Sequence, residues 1–307
     1  MPKMSINRSV MINAPIEKIF STLNDFNHWQ AWSPWLIMDP DTKVTVREDA
    51  KYYAWNGKRT GEGNMTILNE KENESIDYDL MFLKPWKSQA KVSFYFKTVG
   101  DAVQVTWTMD SSLPFFLFWM KKQMEAFVGM DYERGLNMLK EYVEKGEIDS
   151  KLEFKGTSDF PQTHYVGLKT SCNMDQMGDQ MKADFEKLET YAKDNEGETT
   201  GQVFSIYHKW DMVKRVAEYS ACVGVKSKPS NLSGGMFAGE VPATKVHTVR
   251  HIGTYDHLGN AWTTLYSMQR GKEFKMAKGI HPFEMYVNDP AEVAPKDLIT
   301  DINFAVK

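Results

Sequence analysis

The segment Phe283-Glu284-Met285-Tyr286, within HPFEMYVNDP (281–290), has a counterpart 79 residues earlier in Phe204-Ser205-Ile206-Tyr207. The same order of elements can be read around each copy from the switch between a spacing of two and a spacing of about 3.6 in the apolar residues. The first copy reads as strand 164–170, helix 174–192, strand 203–209 and strand 214–225; the second as strand 245–252, helix 256–269, strand 281–288 and strand 298–306. A self-similar run of this kind is an internal duplication, here of βαββ type.

Alternation along a strand places residues i and i+2 on one face and i+1 on the other. Glu284 therefore shares a face with Tyr286, and Ser205 shares the matching face with Tyr207. One copy carries a carboxylate where the other carries a hydroxyl, so the charge breaks the pseudo-symmetry. A carboxylate flanked by Phe, Met and Tyr must reach water, find a partner, or be buried with a raised pKa. An exposed strand residue is the plainer alternative. The stretch 226–239, with Pro229, Ser230, Gly234 and Gly235, reads as a loop between the copies, a connector or a lid.

The 307 residues suit two domains, and the duplication assigns 149–307 to the second. Residues 1–148 follow a different grammar. A strand over 5–12 ends in Asn13-Ala14-Pro15, and Ile16, Ile19, Phe20 and Leu23 then fall at helical spacing, with Pro15 near the first helical position. Strands follow over 43–48, 51–55, 63–69, 75–82, 88–98 and 103–109, with Asn56-Gly57 and Gly100-Asp101 as turn pairs. From about 115 to 144 the helical period returns, with Phe127, Tyr132, Leu136, Leu139 and Val143 along one stripe. A long C-terminal helix on a curved antiparallel sheet satisfies this order, so the fold class is α+β. Trp29, Trp32 and Trp35 read as a plug for one end of the sheet, with ligand stacking as the alternative. The run 113–120, containing Pro114, Phe115, Phe116, Phe118 and Trp119, reads as a cavity mouth or a contact between domains, and membrane contact is the less favoured reading.

Composition excludes several classes. Hydrophobic residues at 42% and charged residues at 25% describe a chain able to bury a core. The net charge of −4 is spread evenly, with 18 Lys and Arg against 20 Asp and Glu up to residue 148 and 19 against 21 beyond it. Neither half has a basic footprint for nucleic acid. Cys172 and Cys222 form neither a metal spacing nor a disulfide framework and are expected as buried free thiols. His247 and His251 lie four apart in a strand, about 13 Å, too far to share an ion. No cofactor motif is present. No stretch has the length of a signal peptide core or a bilayer span, so a cytoplasmic location is expected.

Two resemblances add to this reading. SVMINAPIEKIFSTLNDFNHWQAWSPW (9–35), Gly61 and Gly63, and ERGLNMLKEYVE (133–144) resemble the START-like helix-grip superfamily, specifically its polyketide cyclase-like branch. HTVRHIGTYDHLGNAWTTLY (247–266), HPFEMYVNDP and DLITDINFAVK (297–307) resemble the GyrI-like small-molecule-binding domain, also found as the effector domain of AraC- and MerR-type regulators. The first resemblance implies a cavity for lipids, hormones or polyketides. The second implies a channel whose aromatic walls and single glutamate receive ligands, often lipophilic cations. Glu284 falls at the position of that glutamate, and Tyr207, Trp210, Tyr255, Trp262 and Tyr286 lie on the corresponding aromatic segments. The DNA-binding portion of such regulators is replaced here by the helix-grip half, so direct binding of nucleic acid is not expected.

The expected function is binding of an amphipathic, cationic or polyketide-like small molecule for sensing or sequestration. The rival is a hydrolase, because some stand-alone GyrI-like proteins hydrolyse cyclopropane-bearing alkylating compounds; Glu284 would then act as general base. An interaction scaffold that binds no ligand is the third class. The sequence does not assign an oligomeric state.

Overall fold

The computed structural model describes residues 3–84, 87–113 and 115–307, with the side chain of Phe115 excepted. Pro114 and the side chain of Phe115, named above in the apolar run, thus lie outside the described residues. The chain forms two compact units, Met1–Asp149 and Ser150–Lys307.

In the first unit β1 (Lys3–Ile12) leads into α1 (Ile16–Leu23) and the single turn α2 (Trp29–Trp32). Six strands follow: β2 (Lys43–Val46), β3 (Tyr52–Gly57), β4 (Gly61–Lys71), β5 (Ser75–Lys84), β6 (Ser88–Val99) and β7 (Ala102–Ser112). The sheet order is β1-β7-β6-β5-β4-β3-β2, antiparallel throughout. A 3-10 segment, Phe115–Met120, then precedes α3 (Lys121–Lys145), so the helix begins six residues later than its apolar spacing suggests. It stops at Gly146, whose left-handed φ of 88° lets its N–H bond back to Tyr142.

Helix α3 buries Tyr132, Leu136, Leu139 and Val143 against the sheet at i, i+4, i+7 and i+11, whereas Phe127, placed on the same stripe by the sequence, is 42% exposed. Trp107 of β7 stacks on Tyr132 at 3.8 Å and on Phe94 at 4.9 Å, and Trp29 and Trp32 pack edge-on against it. Both of those tryptophans are buried, while Trp35 is half-buried and donates its indole N–H to Asp131. All three tryptophans are therefore core rings, as the plug reading expects. Asn56-Gly57 is not a turn: Gly57 closes β3 opposite Gly61, and the turn falls on 58–60. Glycine is required there by close approach, since a Cβ would sit 2.3 Å from the hydroxyls of Thr42 and Thr60.

The second unit is one eight-stranded antiparallel sheet. Its strands are β8 (Ser150–Phe160), β9 (Thr163–Asn173), β10 (Thr199–Asp211), β11 (Val216–Val225), β12 (Met236–Val241), β13 (Thr244–Gly253), β14 (Phe283–Tyr286) and β15 (Ile299–Val306). Helix α4 (Met177–Asp194) joins β9 to β10, and α5 (Gly259–Arg270) joins β13 to β14. The order β12-β9-β11-β10-β14-β15-β13-β8 is symmetric about its centre, where β10 meets β14. Across that pair Ser205 stands opposite Glu284, Phe204 opposite Met285 and Ile206 opposite Phe283. Ser205 faces its own duplicate, while Phe204 and Ile206 each face the duplicate of the other, so the pseudo-two-fold axis passes between Ser205 and Glu284.

Two strands go beyond the βαββ reading. β8 precedes the first repeat but pairs with β13 of the second, while β12 precedes the second repeat but pairs with β9 of the first. The halves thus exchange their leading strands. The connector reading of 226–239 is corrected accordingly, because its last four residues, 236–239, already belong to β12. Of the two cysteines, both free, Cys222 is buried and Cys172 only half-buried.

Candidate functional site

Both helices of the second unit lie on one face of the sheet, α4 mainly on β9 and β11 and α5 mainly on β13 and β15. The central strands β10 and β14 lie between these two footprints, and their helix-side residues occupy a buried cleft between α4 and α5. Ser205 and Tyr207 point into it from β10, Glu284 and Tyr286 from β14. The alternate residues Phe204, Ile206, Phe283 and Met285 belong to a separate apolar cluster with Tyr165, Val241 and Val246. Alternation thus divides the duplicated strands as the sequence indicates.

Glu284 is 2% exposed. Tyr207 donates its hydroxyl to Oε2 at 2.7 Å, and Tyr286 donates to the same oxygen at 2.9 Å. The Trp262 indole N–H, coming from α5, donates to Oε1 at 2.5 Å. Tyr286 Oη also lies 3.1 Å from Ser205 Oγ, which ties the duplicate position into the same network. Every group in this set is neutral. Among the described residues no Lys, Arg or His forms an ion pair with Glu284. Burial raises the Glu284 pKa above the usual carboxylate range, and the three donated hydrogen bonds offset only part of that shift. The same burial, together with the adjacent carboxylate, pushes the Tyr207 and Tyr286 hydroxyls well above their ordinary values, so they remain donors.

The aromatic candidates converge on this carboxylate. Trp210 stacks on Tyr207 at 5.0 Å and meets Trp262 edge-on at 5.9 Å. Tyr255 lies 5.9 Å from Tyr286, is 39% exposed, and has its pKa pushed up to about 12 by burial and then by Glu284. Tyr207, Trp262, Tyr286 and Glu284 therefore form the hydrogen-bonded centre, with Trp210 and Tyr255 on its flanks. Regular alternation would turn Trp210 away from Tyr207. A β-bulge at His208 shifts the register between Tyr207 opposite Tyr219 and Lys209 opposite Glu218, which returns Trp210 to the cleft face. The Trp210 indole N–H is buried and has no acceptor among the described residues.

Of the α4 wall, the sequence reading takes Met181 as core filling, with an apolar pocket as the alternative, and misses Phe185. Phe185 packs edge-on to Tyr286 at 5.7 Å, and Met181 Sδ lies 3.9 Å from the Tyr207 hydroxyl. Their i, i+4 spacing on α4 was the available signal, but it also suits ordinary core packing. A second buried carboxylate was missed as well. Asp184 accepts from Thr170 at 2.7 Å, Tyr219 at 2.8 Å and Gln180 at 3.2 Å, and Lys187 stands 4.0 Å away, so its charge has a cation nearby, unlike that of Glu284.

The histidines lie apart from this centre. His281 packs against His208, whose Nε2 is 2.7 Å from Ser220 Oγ, and Ser220 faces away from the cleft with Cys222. His251 Nε2 meets Ser150 Oγ at 3.0 Å, and Asn260 at the start of α5 donates to the same hydroxyl, so His251 joins β13, β8 and α5. Burial first and His257 second bring its pKa down to about 4, so the ring is neutral. His247 pairs with Thr157 and stacks on Phe274.

Residues 158–307 match the family model for the GyrI-like small molecule binding domain, and residues 3–144 match that for polyketide cyclase / dehydrase and lipid transport. The chain joins a polyketide cyclase-type domain to a GyrI-like domain. The buried carboxylate with its aromatic surround belongs to the GyrI-like domain. No curated protein matches the sequence. Among solved structures, the chain is similar to the EcmrR–DNA complex in EcmrR-RPo, with 17% identity over 62% of this chain and 69% of that one and a TM-score of 0.41. It is also similar to the EcmrR C-terminal domain, with 18% identity over 52% of this chain and 98% of that one, TM-score 0.40. A third similar structure is the Aha1 dimer from Colwellia psychrerythraea, with 20% identity over 47% of this chain and 99% of that one, TM-score 0.36. Among the described residues no helix is long and apolar enough to cross a membrane.

Proposed function

We propose that the GyrI-like domain binds a lipophilic or amphipathic organic cation with Glu284 as its charge partner, and that the protein senses or sequesters such compounds. The observation that carries this reading is a buried carboxylate surrounded by neutral donors and lacking an ion-pair partner among the described residues. A carboxylate offers about four acceptor positions. Two hydroxyls occupy those of Oε2 and an indole occupies one of Oε1, which leaves one position on Oε1 for a ligand. A cation there would offset the cost of burying the charge, and each face of Tyr207, Trp210, Trp262 or Tyr286 it met would add ~0.5–2 kcal/mol. A neutral polyketide would leave the charge uncompensated.

The raised pKa of Glu284 supports a second reading, in which the fourth position holds a water and the carboxylate acts as general base on a bound electrophile. Glu284→Gln separates the two. The amide keeps the shape: its oxygen can accept from Trp262 while its NH2 faces the tyrosine hydroxyls. Calorimetric titration with tetraphenylphosphonium is expected to give an affinity loss equivalent to ~2–5 kcal/mol in this variant. Unchanged affinity would refute the cation reading. For the hydrolase, the same variant would lose turnover of a cyclopropane-bearing alkylating compound while keeping affinity for it.

A further inference from the structure

The polyketide cyclase-type domain carries an aromatic surface that its core does not use. In the 3-10 segment before α3, Phe116 is 72% exposed, Phe118 60% and Trp119 67%. The Trp119 indole N–H donates to the Phe116 carbonyl at 3.1 Å, which fixes the tryptophan relative to the segment's backbone. Adjacent exposed aromatics of this size are uncommon on a free surface and mark an interaction site.

The surroundings of the patch are basic. Ser112, just before the segment, pairs with Lys3 at the start of β1, and Ser111 pairs with Ala90 near the start of β6. The end of β5 and the start of β6 therefore lie at the same end of the sheet, with Lys84 and Lys87 both exposed. Lys121 and Lys122 follow the segment directly. The acidic groups at this end are Glu62, which pairs with Lys84 at 2.6 Å, and Glu125, which lies 3.7 Å from Lys121. Five lysines against two glutamates leave a net positive charge along this end of the domain. Further in, Asp110 of β7 and Asp79 of β5 both stand opposite Lys91 of β6, whose ion pair is with Asp77 at 3.7 Å, so the positive excess belongs to the edge row.

We propose that this end of the domain docks on a lipid bilayer bearing anionic headgroups, with Phe116, Phe118 and Trp119 entering the interface and the lysines meeting the phosphates. The combination distinguishes a bilayer from a protein partner. Protein interfaces are enriched in aromatics but depleted in lysine, whereas tryptophan and lysine occur together at the headgroup level. Each lysine close to an anionic surface strengthens binding several-fold, and the rings add apolar burial. The contact is peripheral, with no spanning element. For the exposed rings of the run 113–120, the role proposed is membrane contact, the reading the sequence favoured least, over a cavity mouth or a domain contact.

Flotation of the full chain with phosphatidylcholine vesicles, with and without phosphatidylglycerol, tests the proposal. The wild-type protein should float with the phosphatidylglycerol vesicles and less with phosphatidylcholine alone, and added salt should weaken binding. Phe116→Ser/Trp119→Ser should reduce binding by about tenfold or more at an unchanged melting temperature, because both side chains are exposed. Lys121→Glu/Lys122→Glu, which leaves every ring in place, should remove the preference for phosphatidylglycerol. Wild-type protein that stays unbound with both vesicle types overturns the proposal, as does a Phe116→Ser/Trp119→Ser variant that floats as well as wild type. A concentration-dependent dimer abolished by that variant, without flotation of the wild type, would make the patch a protein contact and also overturn it.

Discussion

Ser205 and Glu284 face each other across the β10–β14 pair at the pseudo-two-fold centre of the GyrI-like domain, both buried, and Tyr286 bridges them. The duplication supplies two equivalent strands, and only one of them carries a carboxylate at this position. Exchanging the two residues, as Ser205→Glu/Glu284→Ser, moves the carboxylate to the other side of the axis. The tyrosines are themselves related by the axis, but α4 contains no tryptophan to replace Trp262. The exchanged variant should fold with stability reduced by ~1–3 kcal/mol, the cost of a buried group losing its donor. Urea denaturation followed by circular dichroism provides the measurement.

The raised pKa of Glu284 gives a pH dependence of definite sign. Between the ordinary carboxylate range and the higher native value, the folded state holds a proton that the unfolded state has lost. Stability therefore falls as pH rises through that window. Glu284→Gln cannot ionise, so its melting temperature relative to wild type should climb across the same window and level off above it. A difference that stays flat with pH would show that the carboxylate titrates normally.

Cation affinity should move the other way. Only the ionised carboxylate pairs with a cation, so tetraphenylphosphonium binding should strengthen as pH rises through the native pKa and then reach a plateau. The Glu284→Gln variant should bind weakly at every pH. Titration calorimetry across the window tests both statements.

Trp262→Phe keeps a ring at the cleft wall and removes the only donor to Oε1 among the described residues. A hydrogen bond to a charged acceptor contributes ~1.5–3 kcal/mol, and the variant should lose about that much stability at a pH where Glu284 is ionised. Its loss should also move the pH window upward, because one of the bonds that favours the ionised form is gone. In the Glu284→Gln background the same change should cost less, and the difference between the two backgrounds measures the coupling.

In the polyketide cyclase-type domain, Gly135 sits on α3 where a Cβ would lie 2.8 Å from Trp107 Cζ3 and 3.2 Å from Pro34. Replacing a helical glycine by alanine ordinarily adds about 1 kcal/mol of stability. Here overpacking against a ring held between Phe94 and Tyr132 opposes that gain and should dominate, so Gly135→Ala should destabilise by ~1–2 kcal/mol in urea denaturation.

Much of this was legible in the chain because it is local. The period-two pattern around Phe283-Glu284-Met285-Tyr286 puts Glu284 and Tyr286 on one face, and the period-3.6 stripe on α3 names its buried side. What escaped depends on distant partners. β8 is largely exposed, carries Gly156 at a φ of 74°, and pairs with a strand of the other repeat, so its own residues give little alternation. The bulge at His208, which turns Trp210 back into the cleft, comes from pairing with β11 and has no local signature. That no ion pair reaches Glu284 among the described residues depends on which residues the other elements bring nearby, and one strand cannot specify that.

The exchange of leading strands also constrains how the domain is made during synthesis. β8 leaves the ribosome with its edge unsatisfied and waits until β13 is complete, since their pairing runs from Phe160 with Thr244 to Ser150 with Gly253. β9 likewise waits for β12. The first repeat therefore has no closed sheet of its own, and a nascent chain halted between the copies would expose the outer edges of β9 and β10 and leave β8 without a partner. Acquisition of the native state is thereby postponed until the second copy has emerged, and premature termination within it should yield aggregating fragments rather than a working half-domain.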